Sequence, residues 1–453
     1  MEFGETIAAI ATAPGVGAVS IIRVVGQNAF QTAEKIFINK TRPMEWQSHT
    51  CRVGSLVDPK NGEIIDQVLI SCMKAPNSYT GYDTVEINCH GGVLNTKKIL
   101  ELVLALGVRL AEPGEFTRLA FLNGKMDLSR VEAVADLISA KTDAARRASA
   151  AQLMGSLADD VRGLRSQLLK LCSLMELDLD FGEENLLEIG ANQIKHQIQS
   201  VLDHARRLSS TYDSGHLLRD GAKVAIVGKP NVGKSSLLNA MLRKNRAIVS
   251  ETAGTTRDFI EETVDIGGVP FTFVDTAGVR DTTSEVEFAG IKWSLEHMKM
   301  ADLILAVFDG STQKTMDDEI LERHLEAVSL ESPKTRIIRI ANKSDLGTGV
   351  VDGIPISAKT GDGIEELRAT VASEFNLSLS FESPILTRER HKVAIDAAIK
   401  CLQSASNSCG DGYSYEFVAL DIRNAMIHLG EIVGEVSSED VINNIFSSFC
   451  IGK

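Results

Sequence analysis

The spacing of apolar and polar positions changes along this 453-residue chain and divides it into stretches of different predicted structure. The first stretch, residues 1–122, contains short apolar runs with the two-residue period of strands, VSIIRVV, QVLISCM and TVEINC, and one helix-period segment from Asn95 to Leu106. Turn residues such as Pro14-Gly15 separate these runs. The pattern predicts an α+β N-terminal domain over residues 1–122.

Long helices are predicted on both sides of a central stretch. From about Met126, apolar residues recur at intervals of three and four, and they include Leu157, Val161, Leu164, Leu168, Leu171 and Met175. The same period returns near the end of the chain at Ala419, Ile422, Met426, Leu429 and Val433. Such stripes are typical of the buried face of a helix. They predict one discontinuous α-helical domain, formed by residues 123–218 plus 381–453.

The central stretch, residues 219–380, alternates apolar runs typical of strands with helical segments. The runs are KVAIVG, FTFVDTAG, LILAVFDG, RIIRIANKSD and IPISAK, and this alternation predicts a doubly wound α/β domain. The domain interrupts the helical one, so its two ends must lie close together. The predicted fold class is therefore multidomain, with an α+β N-terminal domain, a discontinuous α-helical domain and an inserted α/β domain.

A phosphate-binding loop is predicted from Gly228 to Ser236, GKPNVGKSS, which follows the strand run VAIV and precedes a helix-period segment. Its glycines let the backbone approach a phosphate closely, Lys234 reaches β- and γ-phosphate oxygens, and Ser235 offers a magnesium ligand. The inserted domain is thus predicted to be a P-loop G domain.

Four further motifs follow the loop in the order of a GTPase. They are ETAGTTRD, DTAG, NKSD and the Ser357-Ala358-Lys359 segment. The Asp345 carboxylate matches the two N–H donors of guanine, so GTP is preferred over ATP. The residues predicted to bind GTP are Asn231, Val232, Gly233, Lys234, Ser235, Ser236, Ser250, Glu251, Thr252, Ala253, Gly254, Thr255, Thr256, Asp275, Thr276, Ala277, Gly278, Asn342, Lys343, Asp345, Ser357, Ala358 and Lys359.

The catalytic and metal ligands of this site are predicted with alternatives. Val279 stands where Ras-like proteins carry the water-orienting glutamine, so Glu287 or Arg280 is predicted to assist hydrolysis; the alternative is that both are solvated charges on a mobile loop. Magnesium is predicted at Ser235 and Thr256. Potassium is predicted to take the place of an arginine finger, with the ligands Asn231, Ser250, Thr252 and Thr255.

Composition restricts the partners and the compartment. The net charge of -14 argues against a dominant nucleic-acid footprint, so any RNA is held locally or by a partner. The seven cysteines show no CxxC spacing, which favours a reducing compartment. The N-terminal MEFGETIAAIATAPG lacks the basic residues of a targeting peptide, and no long apolar run occurs. We therefore expect a cytoplasmic protein with no membrane association.

Motifs outside the G domain resemble a known family along essentially the full length. TIAAIATAPG, IIRVVG, APNSYTG, VEINCHGG, EPGEFTRLAFLNGKMDLSRVEAVADLI and the final FSSFCIGK are similar to the MnmE (TrmE) family of tRNA uridine-modifying GTPases. Three residues depart from the family pattern: Val16 and Ala18 stand in a turn often written with arginine and glycine, and Tyr82 occupies a commonly acidic position.

The resemblance implies functions that the patterns alone do not. It implies a folate-binding and dimerising N-terminal domain, a homodimer whose G domains meet in the presence of potassium, and a flavoprotein partner, MnmG, in a heterotetramer or larger assembly. The activity implied is GTP-driven installation of carboxymethylaminomethyl or aminomethyl groups at carbon 5 of the tRNA wobble uridine. The carbon would come from 5-formyl- or methylene-tetrahydrofolate.

Particular residues carry over from the family. Arg23, Glu86, Lys125 and Lys453 match its folate-contacting positions, and a pteridine edge suits a carboxylate while a glutamate tail suits cations. Cys450, in the terminal CIGK, is predicted either as a nucleophile or general acid, or as a small structural cysteine.

Two other classes of function compete with this interpretation. A ribosome-assembly GTPase would carry an appended RNA-binding module, but no basic C-terminal domain or KH-type GxxG loop occurs. A helical scaffold recruited according to GTP state is the other alternative. For a tRNA enzyme the acidic charge implies that the flavoprotein supplies much of the positive surface.

Overall fold

A computed structural model describes residues 5–181, 191–242, 262–273, 298–347, 352–375, 383–410, 415–436 and 438–453. The chain forms two compact units, Met1–Ala135 with Gly430–Lys453, and Asp136–Leu429. The last residues of the chain therefore belong to the same unit as the first. The predicted domain bounds stay a prediction. No helix in the described ranges is long and apolar enough to cross a membrane.

Strands and helices alternate along the described parts of the chain. The strands are β1 (Ile7–Ile10), β2 (Val19–Val25), β3 (Phe37–Ile38), β4 (Thr50–Val57), β5 (Ile64–Met73), β6 (Thr84–His90), β7 (Arg109–Leu110), β8 (Ala222–Val227), β9 (Glu262–Ile266), β10 (Val269–Phe273), β11 (Leu303–Asp309), β12 (Arg336–Asn342) and β13 (Ile354–Pro355). The helices are α1 (Ala29–Ile36), α2 (Val93–Leu104), α3 (Glu115–Leu122), α4 (Leu128–Ser139), α5 (Asp143–Leu153), α6 (Ser156–Phe181), α7 (Ala191–Ser210), α8 (Tyr212–Asp220), α9 (Lys234–Leu242), α10 (Met316–Glu331), α11 (Ile364–Glu374), α12 (Glu389–Gly410), α13 (Tyr415–Val433) and α14 (Glu439–Ser447).

The first unit is built on a seven-stranded sheet in the order β3-β4-β5-β6-β2-β1-β7. Neighbouring strands are antiparallel except β1 and β7, which are parallel. Alternate residues of β5 and β6, among them Ile70, Cys72, Val85 and Ile87, are buried in one core with Ile99 of α2. The two-residue apolar period therefore has its expected cause, a sheet with one face covered by helices.

The end of the chain packs within this first unit. Phe446 of α14 and the following Phe449 join Leu128 and Val131 of α4 in a small apolar cluster. Beyond it, Ile451 forms a bridge with Pro113 just before α3. The sequence patterns do not predict this return to the N-terminal region.

The second unit contains a six-stranded sheet in the order β13-β12-β11-β8-β10-β9. All its pairs are parallel except the hairpin β9–β10. The strand β8 lies between β10 and β11 and is parallel to both. The loop that follows β8 therefore lies at the carboxyl edge of the sheet, where ligands of doubly wound folds bind.

Helices from both sides of this sheet in the sequence pack together in the second unit. The Arg165 Nε of α6 donates to the Met426 carbonyl of α13 at 3.1 Å, and the Ser209 hydroxyl of α7 donates to Asp396 of α12 at 2.7 Å. Thr142, which caps α5, also donates its hydroxyl to the Gly268 carbonyl in the β9–β10 turn at 2.6 Å. The predicted fold class, with a discontinuous helical domain around an inserted α/β domain, is confirmed.

Two helical glycines of this unit should respond oppositely to alanine. A Cβ at Gly215 in α8 would collide with the Leu386 carbonyl oxygen and lie 2.6 Å from Ile385 Cγ2, whereas nothing lies within 4 Å of a Cβ at Gly163 in α6. We expect Gly163→Ala to raise the free energy of unfolding by about 0.5 to 1 kcal/mol. Gly215→Ala should lower it by about 1 to 3 kcal/mol.

Chemical denaturation followed by circular dichroism measures both changes on the same transition. A stabilising Gly215→Ala substitution would contradict the close packing of α8 against residues 385–386.

Candidate functional site

The loop after β8 has a backbone that its sequence explains. Asn231 and Gly233 both have positive φ, 64° and 99°. A Cβ at Gly233 would collide with the side-chain amide of Asn342, so this position requires glycine for space as well as conformation. Asn231 is exposed at the tip of the loop, and Val232 is buried beneath it.

Lys234, the first residue of α9, turns back onto this loop. Its Nζ donates to the carbonyl oxygens of Gly228, at 2.8 Å, and Lys229, at 3.0 Å. Burial lowers the pKa of Lys234, and none of the described residues offers it a carboxylate. A desolvated ammonium held only by carbonyls suits an anionic ligand such as a phosphate.

Asn342, at the end of β12, connects the loop to the segment after β13. Its Nδ2 donates to the Val232 carbonyl at 2.7 Å, and its Oδ1 accepts from the Ala358 N–H at 2.9 Å. Because Asn342 is 3% exposed, these bonds are formed away from water. The structure therefore brings together three motifs that are distant in the sequence.

Asp345 is exposed and held in one orientation. The Ser357 hydroxyl donates to its Oδ1 at 2.7 Å, and the same hydroxyl accepts from the Thr360 N–H at 3.2 Å. The other oxygen of Asp345 accepts no hydrogen bond from the described residues. This arrangement leaves an oriented carboxylate edge to accept donors from a ligand, while Lys359 is exposed nearby in the chain.

Lys343 has a partner that the sequence analysis missed. Its Nζ lies 2.7 Å from Asp309 Oδ2 at the end of β11, and Ser311 donates both its N–H and its hydroxyl to Oδ1. Burial by itself would raise the pKa of Asp309, but the hydrogen bonds from Lys343 and Ser311 outweigh it and lower that pKa. Asp309, the acidic residue near the end of the run LILAVFDG, was the feature of the sequence that could have indicated this ion pair.

Several predicted site residues lie outside the described residues: Ser250, Glu251, Thr252, Ala253, Gly254, Thr255, Thr256, Asp275, Thr276, Ala277, Gly278, Arg280 and Glu287. Of the predicted metal ligands, Ser235 lies in the first turn of α9 and Asn231 at the loop tip. Their hydroxyl and amide oxygens suit magnesium and potassium chemically. The described residues contain no group of three or more His, Cys, Asp or Glu side chains that could hold a metal.

A second polar cluster lies in the first unit. Arg23 of β2 and Glu86 of β6 are direct cross-strand partners, and Arg23 Nε and Nη2 lie 2.9 and 2.8 Å from the same oxygen, Glu86 Oε1. The guanidinium carbon lies 5.6 Å from the centre of the Tyr79 ring and 5.5 Å from that of Phe116. Glu86 Oε2 accepts no hydrogen bond from the described residues. The pair thus offers one carboxylate oxygen that no described residue engages, next to a guanidinium that packs on two aromatic rings.

The CIGK segment lies against the start of α3. The Phe116 N–H donates to the Lys453 backbone oxygen at 3.0 Å, and the Gly114 N–H donates to the Cys450 carbonyl at 3.4 Å. Gly452, with φ of 100°, leaves no room for a Cβ because the Ile10 carbonyl fills that space. The Lys453 backbone thus lies against Phe116, whose ring packs under the Arg23 guanidinium. The Cys450 side chain is exposed.

Lys125 lies two residues after Asn123, which contacts the segment containing Tyr79. Asn123 donates its Nδ2 to the Thr80 carbonyl at 2.7 Å, which links the turn after α3 to the segment containing Tyr79. Lys125 itself is exposed, and its backbone N–H donates to the Ala120 carbonyl at 2.9 Å. Tyr79 and Phe116 escaped the sequence analysis, since aromatic residues of this kind are usually core.

The fold and the loop define a P-loop nucleotide-binding protein with an appended α+β domain. Residues 6–125 match the model of the GTP-binding protein TrmE N-terminus, and residues 128–450 match that of the MnmE helical domain. The chain belongs to the MnmE family.

Relatives along the whole chain carry one name. The chain is 44% identical to the tRNA modification GTPase MnmE of Clostridioides difficile (strain 630), with 100% of both chains covered. It is 43% identical to the protein of that name from Thermoanaerobacter pseudethanolicus, with 99% of each covered. Among solved structures, the FeoB G-domain from Methanococcus jannaschii aligns at 24% identity over 34% of this chain and 98% of that chain, with a TM-score of 0.23.

The buried bridge through Asn342 should be important for stability in the absence of nucleotide. Asn342→Ala leaves the Val232 carbonyl and the Ala358 N–H without their partner, and we expect the free energy of unfolding to fall by about 2 to 3 kcal/mol. Urea denaturation without nucleotide measures this change. The control is Asn424→Ala, an exposed asparagine of α13 in the same unit. Equal midpoints for the two variants would contradict the role of the bridge.

Proposed function

We propose that this chain is the GTP-hydrolysing subunit of the system that installs carboxymethylaminomethyl or aminomethyl groups at carbon 5 of the tRNA wobble uridine. As an MnmE-family protein it is a GTPase, and its relatives are named for tRNA modification. The observation that carries the proposal is Lys234, a buried ammonium held by loop carbonyls at the carboxyl edge of a doubly wound sheet. This geometry supports triphosphate binding.

The proposed nucleotide site consists of loop residues 231–236 and the base-reading segments. The loop amides and Lys234 bind the phosphates, and the exposed edge of Asp345 accepts the N–H donors of guanine. Asn342 joins the loop and the Ala358 backbone through one N–H and the oxygen of its amide, and so holds the two halves of the site in register. The second N–H of the same amide is proposed to face the base.

Hydrolysis is proposed to depend on two cations and on residues of the G motifs. Ser235 and Thr256 hold magnesium, while Asn231, Ser250, Thr252 and Thr255 hold potassium. Bound cations neutralise charge on the phosphate oxygens. Because Val279 cannot orient water, Glu287 takes that role, with Arg280 as a second candidate.

The Arg23–Glu86 cluster is the proposed folate site. Arg23 holds one oxygen of Glu86, which leaves the other to accept N–H donors of a pteridine ring beside the half-buried ring of Tyr79. Lys125 and Lys453 are proposed to attract a glutamate tail. The bound folate, in its 5-formyl or methylene form, supplies the one-carbon unit, and the exposed thiol of Cys450 is a candidate acid or nucleophile.

The proposed assembly is a cytoplasmic homodimer that works with the flavoprotein MnmG, in a heterotetramer or a larger complex, on tRNA. The chain carries 61 acidic and 47 basic side chains, so it is a poor electrostatic match for RNA by itself. The flavoprotein therefore supplies much of the positive surface. The domain bounds proposed for this assembly are 1–122, 123–218 plus 381–453, and 219–380.

GTP turnover should depend on which monovalent cation is present. If potassium supplies the charge of an arginine finger, replacing it with sodium at equal ionic strength lowers kcat by about tenfold or more. Phosphate release at saturating GTP measures this, and Asn231→Ala should remove most of the difference between the two cations. Equal turnover in sodium and potassium would eliminate the proposed cation site.

Folate binding should require the free oxygen of Glu86. Glu86→Gln removes the charge that accepts the pteridine donors, and we expect the Kd for 5-formyl-tetrahydrofolate to rise about tenfold to a hundredfold. Calorimetric titration measures it. The matched control is Glu101→Gln on α2, where the glutamate is exposed and pairs with Lys97. Unchanged affinity in Glu86→Gln would place the folate elsewhere.

A further inference from the structure

The second residue of the phosphate loop, Lys229, is engaged by a carboxylate outside the loop. Its Nζ lies 2.8 Å from Asp318 Oδ2 and 3.2 Å from the Thr315 hydroxyl, at the beginning of α10. The side chains of Lys229 and Asp318 are 17% and 4% exposed, so this ion pair is formed largely away from solvent. It therefore differs from an exposed surface pair, which contributes little.

Asp318 is itself fixed by the start of α10. Its Oδ2 accepts from both the N–H and the hydroxyl of Thr315, at 2.9 and 2.8 Å, in a capping box. Burial alone would raise the pKa of Asp318, but the bonds from Lys229 and Thr315 outweigh it, so the pKa is lowered and the group stays ionised. The anchor for Lys229 is thus a rigid, charged helix start.

The ion pair is connected to Lys234 through the loop backbone. The carbonyl of Lys229 is one of the two oxygens that accept from Lys234 Nζ, and the adjacent Gly228 carbonyl is the other. Holding the Lys229 side chain therefore restricts the peptide groups that orient the phosphate-binding ammonium. The chain of contacts runs from Asp318 to the Lys229 side chain, to the Lys229 carbonyl and to Lys234.

We propose that Lys229 and Asp318 are positioning residues of the GTP site: their ion pair holds the start of the phosphate loop so that Lys234 is pre-arranged for the phosphates. This inference rests on the proposed assignment of the loop as the GTP site. It adds two residues that position the loop without touching nucleotide. Pre-arrangement lowers the ordering cost of binding, so its loss weakens affinity.

The opposing possibility is that Lys229 binds phosphate directly. The two roles predict opposite effects of Asp318→Asn. If Lys229 is a phosphate ligand, neutralising Asp318 frees its ammonium and tightens nucleotide binding. If the pair positions the loop, the same substitution weakens binding because the anchor is lost.

The test measures the Kd for GDP by fluorescence titration, and KM and kcat for GTP, on the full chain. We expect Lys229→Met to raise Kd and KM about tenfold, which corresponds to 1.4 kcal/mol, with kcat within about twofold of wild type. Asp318→Asn should raise both about fivefold, and the double variant should be no weaker than Lys229→Met. Lys229→Arg should restore near-normal binding.

The control is Asp317→Asn, which removes the same charge from the same turn of α10 at an exposed position. It should leave Kd unchanged within about twofold. Thermal unfolding of each variant without nucleotide separates loss of affinity from loss of fold, and the conservative Lys229→Arg provides a second measure because an arginine can pair with the same carboxylate.

Three results would overturn the positioning role: tighter GDP binding in Asp318→Asn, wild-type affinity in Lys229→Met, or additive losses in the double variant. None of these results would overturn the assignment of the loop as the GTP site, provided that the wild-type chain binds GDP and Lys234→Ala does not. Failure of the wild-type chain to bind GDP would instead overturn the assignment of the loop, and this inference with it.

Discussion

The candidate nucleotide site depends on one buried side chain, the amide of Asn342. Its two hydrogen bonds, to the Val232 carbonyl and from the Ala358 N–H, join the loop after β8 and the segment after β13, which are more than a hundred residues apart in the chain. Neither bond competes with water, because the residue is almost fully buried. Parallel strands bring their carboxyl ends to one edge, and Asn342 then fixes the spacing between the parts of the site.

In each of the two units, one charged side chain has hydrogen-bonding capacity that the described residues do not use. In the second unit it is the ammonium of Lys234, buried against carbonyls. In the first it is the free oxygen of Glu86, whose other oxygen is held by Arg23. Desolvating an ammonium such as that of Lys234 is costly, and folded chains keep such groups mainly where a ligand compensates. The chemistry of the two matches different ligands, a phosphate and a donor-rich heterocycle.

The sequence predicted the contiguous parts of this structure well. The phosphate loop could be identified because its strand, glycines and helix are adjacent in the chain, and the discontinuous helical domain because apolar stripes recur on both sides of the α/β stretch. Two ion pairs could not be predicted, Lys343–Asp309 and Lys229–Asp318. Each joins positions more than thirty residues apart, whose contact depends on strand order. The same holds for Tyr79 and Phe116, whose ring positions beside Arg23 follow only from the folded sheet.

The central claim is that the GTP loop and the Arg23–Glu86 cluster serve one reaction on tRNA. Mass spectrometry of wobble uridines tests it most directly, in cells lacking the protein and in the same cells supplied with wild type, Lys234→Ala or Glu86→Gln. The account predicts that the carbon-5 modification disappears without the protein, returns with wild type, and returns with neither variant. Unchanged nucleosides in cells lacking the protein would contradict it.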